Sequence, residues 1–195
     1  MRLHKNLILT LVLIVFVTGG MISCSTKNKN TTNETVESST TNTNNDVSKS
    51  SYSEGYGAAC AIKDTDLTLE EMLTYAIQDE YLAHGEYDYI LKTFGDQKPF
   101  NNIIKAEEKH IAELKIIFQK YELVIPMDLS KDHLIVPTSI KNALETGVQA
   151  EIDNIAMYKR FLEQKLPEDV RATFVFLMKG SESHLSAFRN NLNKY

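Results

Sequence analysis

Tryptophan is absent from this 195-residue chain, cysteine occurs twice and proline four times. Two cysteines cannot build the disulfide framework that supports many small secreted folds. Scarce proline, with Tyr, Leu and Ile as the main large apolar residues, is a composition that helical cores permit. Positive charge is also short: 21 Lys and Arg stand against 26 Asp and Glu, for a net charge of −5. No basic stripe is present to neutralise phosphates, so no nucleic-acid partner is expected. A membrane-spanning helix needs about 20 apolar residues. The run from Leu7 to Val17, interrupted only by Thr10, is too short for that.

That run does suit a secretory signal, because Arg2, His4 and Lys5 form a positive head before it. Gly19-Gly20-Met21-Ile22-Ser23-Cys24 follows and resembles a bacterial lipobox. The resemblance implies that Cys24 is lipidated and becomes the first mature residue, tied to the outer side of a membrane by acyl chains that each gain about 0.8 kcal/mol per buried methylene. The alternative is an ordinary signal with an incidental cysteine. If Cys24 carries lipid, no second cysteine is left to form an intrachain disulfide with Cys60, which is either a bystander thiol or a lone metal ligand. Ser25 to Ser51 is rich in Ser, Thr, Asn and Lys and nearly free of large apolar residues, as expected of a disordered tether. Tyr52 to Lys63 has no assignable pattern. The expected organisation is a signal over 1–23, the lipidated cysteine and tether over 24–63, and a folded domain over 64–195.

From Leu67 a helical period takes over. Thr68 and Glu71 have the spacing of a capping box, and Leu69, Leu73, Ala76, Glu80, Ala83, Tyr87, Ile90 and Phe94 follow at steps of three and four. Gly95 and Asp96 end the first helix. A second is expected from about Pro99 to Tyr121, a third from about Ser139 to Gln164, and a fourth after Pro167, where proline suits a first turn. The short links within each hairpin force antiparallel neighbours. The middle connection, between Pro126 and Pro137, reaches roughly 50 Å at about 3.3 Å per residue, enough to climb a bundle. One long crossover between two hairpins is the ferritin-like four-helix arrangement, all-α.

The two hairpins repeat one another. Glu80 and Glu151 are 71 residues apart, as are Tyr87 and Tyr158, while His110 and His184 are 74 apart. Packed face to face, such hairpins acquire an approximate two-fold axis across which matching residues meet.

Glu107 and His110 lie one helical turn apart, on one face. Glu80 and Glu151 sit on apolar stripes, and His184 matches His110. Carboxylate-bridged di-metal bundles use this supply: a Glu from each of two helices and Glu-x-x-His from each of the other two. Unpaired carboxylates inside a bundle cost several kcal/mol each, so cations, protonation or partners must compensate. Glu80, Glu107, His110, Glu151 and His184 are therefore the expected metal ligands. The sixth position holds Ser181, which leaves three carboxylates for two divalent ions, weakens the second ion and opens a coordination position. Tyr87 and Tyr158 bond the ligating carboxylates, act in redox steps, or are core tyrosines with a polar tip. His84 is either a donor beside the ligands or a solvated helix residue, and His133 has no signal.

From Leu67 to Tyr195 the chain resembles the ferritin-like superfamily of rubrerythrin and bacterioferritin, and within it an uncharacterised bacterial and archaeal branch. The resemblance implies iron, as a di-iron pair or a single ion, or manganese, with Glu107 as the bridge. Three functions stay open: an oxidase or peroxidase acting on Fe(II), dioxygen or peroxide; a metal-holding module without turnover; and a metal-free interaction scaffold. A second copy of the chain is a candidate partner.

Overall fold

The computed structural model describes residues 55–195, and Cys24, the leader and most of the tether lie outside the described residues. The described part is helical: α1 (Ala58–Ala61), α2 (Leu69–Phe94), α3 (Phe100–Lys120), a 3-10 turn (Ser130–Asp132), α4 (Ile140–Leu162) and α5 (Glu168–Leu192). None of these helices is long and apolar enough to cross a membrane.

Local chemistry sets the boundaries. At the start of α2 the Thr68 hydroxyl accepts from Glu71 N at 3.2 Å while Glu71 accepts from Thr68 N at 2.8 Å, a reciprocal cap. Ser139 caps α4 by accepting from Asn142 N at 3.1 Å. Gly95, at φ 83°, stops α2. At the end of α3, Glu122 takes φ 54° and Leu123 N donates to Phe118 O, so the chain turns off under a hydrogen bond.

The helices form two antiparallel hairpins, α2–α3 and α4–α5, joined by the long connection from 121 to 139. That connection runs along α2: Ile135 N donates to Glu86 at 3.1 Å and Leu129 N donates to Tyr56 Oη at 3.3 Å. The apolar interior is in two blocks. Leu73, Ile77, Leu114, Phe118, Phe161 and Phe174 belong to one, and Tyr87, Ile90, Phe100, Leu144 and Phe188 to the other. Between them lies a layer of buried polar residues including Glu80, Glu107, His110, Glu151 and His184. Both apolar blocks exclude water from that layer, which strengthens every electrostatic interaction within it.

Residues ahead of 64 also pack onto the helices. Tyr56, Ala58, Cys60 and Ala61 are buried in the folded domain. The Arg160 guanidinium of α4 donates to Ala61 O and Asp64 O, and Tyr75 Oη donates to Asp64 at 2.7 Å. Residues 55–64 thus form a strap across α2 and α4. Their sequence is too short and too small-sided for periodicity to reveal it, and the strap depends on partners far along the chain. Cys60 is buried in the apolar block of this strap, and the groups arranged to hold a metal do not include it.

Candidate metal centre

The polar layer brings together all five expected ligands. Two groups of three converge: Glu80, Glu107 and His110, and Glu107, Glu151 and His184. Glu107 belongs to both. Its Oε2 lies 2.9 Å from His110 Nδ1, and its Oε1 lies 3.1 Å from His184 Nδ1. His110 Nδ1 is also 3.1 Å from Glu80 Oε2, and His184 Nδ1 is 3.4 Å from Glu151 Oε1. The imidazole rings stack with centroids 5.5 Å apart.

Duplication shows in the supporting bonds. Tyr87 Oη donates to Glu151 Oε1 at 3.1 Å and Tyr158 Oη donates to Glu80 Oε1 at 2.7 Å, each across the axis. The tyrosine rings are thus buried in the core while their hydroxyls hydrogen-bond carboxylates. Gly180 makes room for the centre, since a Cβ there would stand 2.6 Å from His110 Nε2. His84 does not join the site; half-exposed, it lies 3.7 Å from the exposed Glu108. His133 stacks on Tyr56 at 4.5 Å, away from the ligands.

Protein groups alone balance the charge by sharing protons. Burial pushes Glu80 up to about 8, and the Glu107 charge adds to the rise. Burial likewise pushes Glu151 up to about 7. It would also raise Glu107, but the imidazoles of His110 and His184 outweigh it and hold that carboxyl at about 2. Burial alone would lower the two histidines, yet the facing carboxylates lift both to about 10.

The residues fit a pair of metal ions. An ion with ligand bonds of about 2.1 Å in an octahedron separates neighbouring ligand atoms by about 3 Å, and the oxygen–nitrogen distances here are 2.9, 3.1, 3.1 and 3.4 Å. His184 Nδ1 is buried without a hydrogen bond despite these close oxygens. A buried imidazole nitrogen close to two carboxylate oxygens, yet hydrogen-bonded to neither, suits a metal ligand. Carboxylate with imidazole is also a donor set that suits iron and manganese.

Ser181 stands where symmetry would place a sixth carboxylate, and the structure adds two residues that the sequence reading missed. Ser181 Oγ donates to Asn154 Oδ1 at 2.7 Å, and Asn154 Nδ2 donates to Asp79 Oδ2 at 2.7 Å. Asp79 Oδ1 in turn accepts from Ala58 N of the strap at 2.8 Å. Asn154 follows Glu151 by one turn on the same face, a signal that was available. Asp79 stands three residues after Ala76 and four before Ala83, but an aspartate is by type usually solvated, and it was passed over.

A family model described as Rubrerythrin matches residues 71–192, from the first turn of α2 to the end of α5. An uncharacterised protein of Methanocaldococcus jannaschii, MJ0754, is 28% identical over 113 residues, which is 49% of this chain and 60% of that protein. The chain thus aligns with less than two-thirds of that relative. The crystal structure of MJ0754 superposes with a TM-score of 0.59 at 23% identity, covering 68% of this chain and 85% of the other, a likeness of fold. With well over half its length accounted for by that family model, the chain belongs to the rubrerythrin family.

Proposed function

We propose that this protein holds two iron or manganese ions between its hairpins and acts in ferrous oxidation or peroxide reduction on the outer face of a membrane. The observation that carries the metal reading is the pair of ligand trios sharing Glu107. When bound, such ions supply one-electron redox chemistry toward dioxygen or peroxide. The chain's own contribution is positional. Glu107 directs one oxygen to each trio, Tyr87 and Tyr158 orient the outer carboxylates, and the two apolar blocks keep bulk water away. A cavity of about 20 Å³ lies between Glu107 and Ser181, room for one water-sized group.

Ser181 favours a second reading, in which the centre stores or delivers metal without turnover. Three carboxylates facing two divalent ions leave a positive balance, so one position holds its ion weakly. Metal analysis of protein purified without added metal tests the shared claim: iron or manganese is expected in wild type, and its loss in Glu107→Ala. Consumption of peroxide or dioxygen by the iron-loaded protein, abolished in the same variant, separates the redox reading from storage. Absence of metal affinity would leave only the scaffold.

The outer-membrane-face location rests on Cys24 and the apolar run before it. Cys24→Ser is expected to move the protein from the membrane to the soluble fraction; unchanged partition would remove the lipid anchor from the proposal.

A further inference from the structure

The cavity beside Ser181 is not isolated. A second, of about 40 Å³, lies under the strap and is lined by Tyr56, Ala58, Glu86 and Asp153 among others. The two cavities have three wall residues in common, Asp79, Ala83 and Ala150. The inner one reaches Glu80, Glu107 and Glu151. The outer one touches the strap, α2, the crossover and α4. The two cavities therefore adjoin, one toward the strap and one toward the ligands, with Asp79 in the wall between them.

Departures from the hairpin repeat shape this wall. The 71-residue offset pairs Asp79 with Ala150 and Ala83 with Asn154. On one side of the axis, Asp79 and Asn154 form the polar chain to Ser181. Their counterparts are the two alanines, and small side chains there leave the opening. Had either alanine been as large as its partner, that space would be filled.

The lining is anionic as well as open. Asp79, Glu86 and Asp153 face the outer cavity, and the three ligating carboxylates face the inner one. A divalent ion moving through spaces of this size must shed most of its water, and carboxylate oxygens replace the lost ligands. Gly57 keeps the strap tight against this wall: it has φ 56°, and a Cβ there would stand 2.5 Å from Asp79 Oδ1.

We propose that divalent cations reach the centre through these adjoining cavities beneath the strap, with Asp79 as the carboxylate that passes them from the outer space to the ligands. The inference rests on the metal reading but assigns a role to residues outside the ligand set. Asp79 is a positioning residue for the incoming ion, not a final ligand.

The test is the rate at which metal-free full-length protein takes up Co(II), followed by the visible absorption of the bound ion in stopped flow, with the final stoichiometry measured separately. Asp79→Asn is expected to slow loading about tenfold or more at unchanged final stoichiometry, the scale on which local charge governs ion capture. Ala150→Leu removes no charge and no ligand, but adds bulk where the cavities adjoin; it should slow loading equally and decides the matter should Asp79→Asn fail to fold. Glu108→Gln, on the face next to His84, should load at the wild-type rate. Wild-type rates in both Asp79→Asn and Ala150→Leu would overturn the route. So would an equal slowing in Glu108→Gln, which would mark a general charge effect. Loss of stoichiometry in Asp79→Asn would make Asp79 a ligand and overturn its role as a conduit. Failure of wild type to take up Co(II) at all would defeat the metal reading itself, a result visible before any variant is compared.

Discussion

The two hairpins of this bundle carry nearly the same side chains at their core, and the few places where they differ are where the chemistry is concentrated. Glu80, Tyr87 and His110 of α2–α3 match Glu151, Tyr158 and His184 of α4–α5. Paired in this way, they build a symmetric frame in which each tyrosine supports the other hairpin's carboxylate. Glu107 has no such match: its counterpart Ser181 is uncharged and bonds to Asn154 instead. Shared residues thus make a symmetric frame, and the unshared ones set its asymmetry.

Breaking the unshared bridge should have the largest effect. Glu107→Ala deprives both trios at once, and metal affinity is expected to fall by well over the roughly 100-fold seen for supporting residues. Equilibrium dialysis with iron or manganese reads this directly. Ser181→Ala, at the matching position, should leave affinity within a few-fold of wild type; an equal loss in both would erase the distinction between the hairpins.

Glu86 and its counterpart Met157, both buried, offer a second contrast. Burial pushes the Glu86 carboxyl up to about 7 although Ile135 N donates to it. A carboxyl whose folded value lies above its unfolded one, near 4.5, holds more protons folded than unfolded between those limits. Stability therefore falls as pH rises through roughly 4.5 to 7, and Glu86→Gln removes that fall. The variant should be more stable than wild type by about 3 kcal/mol at pH 8, with the gap closing below pH 4.5. Chemical denaturation at several pH values checks it; a gap independent of pH would show that Glu86 is not buried at this cost.

Restoring symmetry is the third experiment. Ser181→Glu supplies the missing carboxylate and neutralises the surplus positive charge of two ions, so the weaker site should gain about tenfold, or about 1.4 kcal/mol, in affinity. Calorimetric titration would resolve the two steps. No gain would mean that the Asn154–Asp79 chain, rather than absent charge, limits the second ion.

The smallest effects should come from the shared pair. Tyr87→Phe and Tyr158→Phe each strip one hydrogen bond from a buried carboxylate, and each should lower stability by about 1 kcal/mol. Similar shifts in thermal midpoint would show that the axis is energetic as well as geometric, whereas a large inequality would assign the frame to one hairpin.

The repeat, the helix boundaries and the five residues that converge in the polar layer were all legible in the amino-acid order. Each depends on spacing within one helix or on a match between helices: the Thr68 cap, the Glu107 and His110 turn, and the 71-residue echo of Glu80 in Glu151. Period and capping are local physics, and a buried carboxylate on an apolar stripe stands out in any linear reading. The strap over 55–64 was not legible, nor was the part played by Asp79. Gly57 and Ala58 have no periodic signal, and an aspartate such as Asp79 is by type usually a solvated residue. Only packing turned Asp79 inward, because the strap covers α2 and Asn154 of the distant α4 reaches across to meet it. Composition and spacing alone decided that this chain gathers carboxylates and imidazoles inside four helices. Tertiary structure decided which oxygen of Glu107 faces which histidine and on which side the centre lies open, since those outcomes depend on contacts between segments that local propensity does not link.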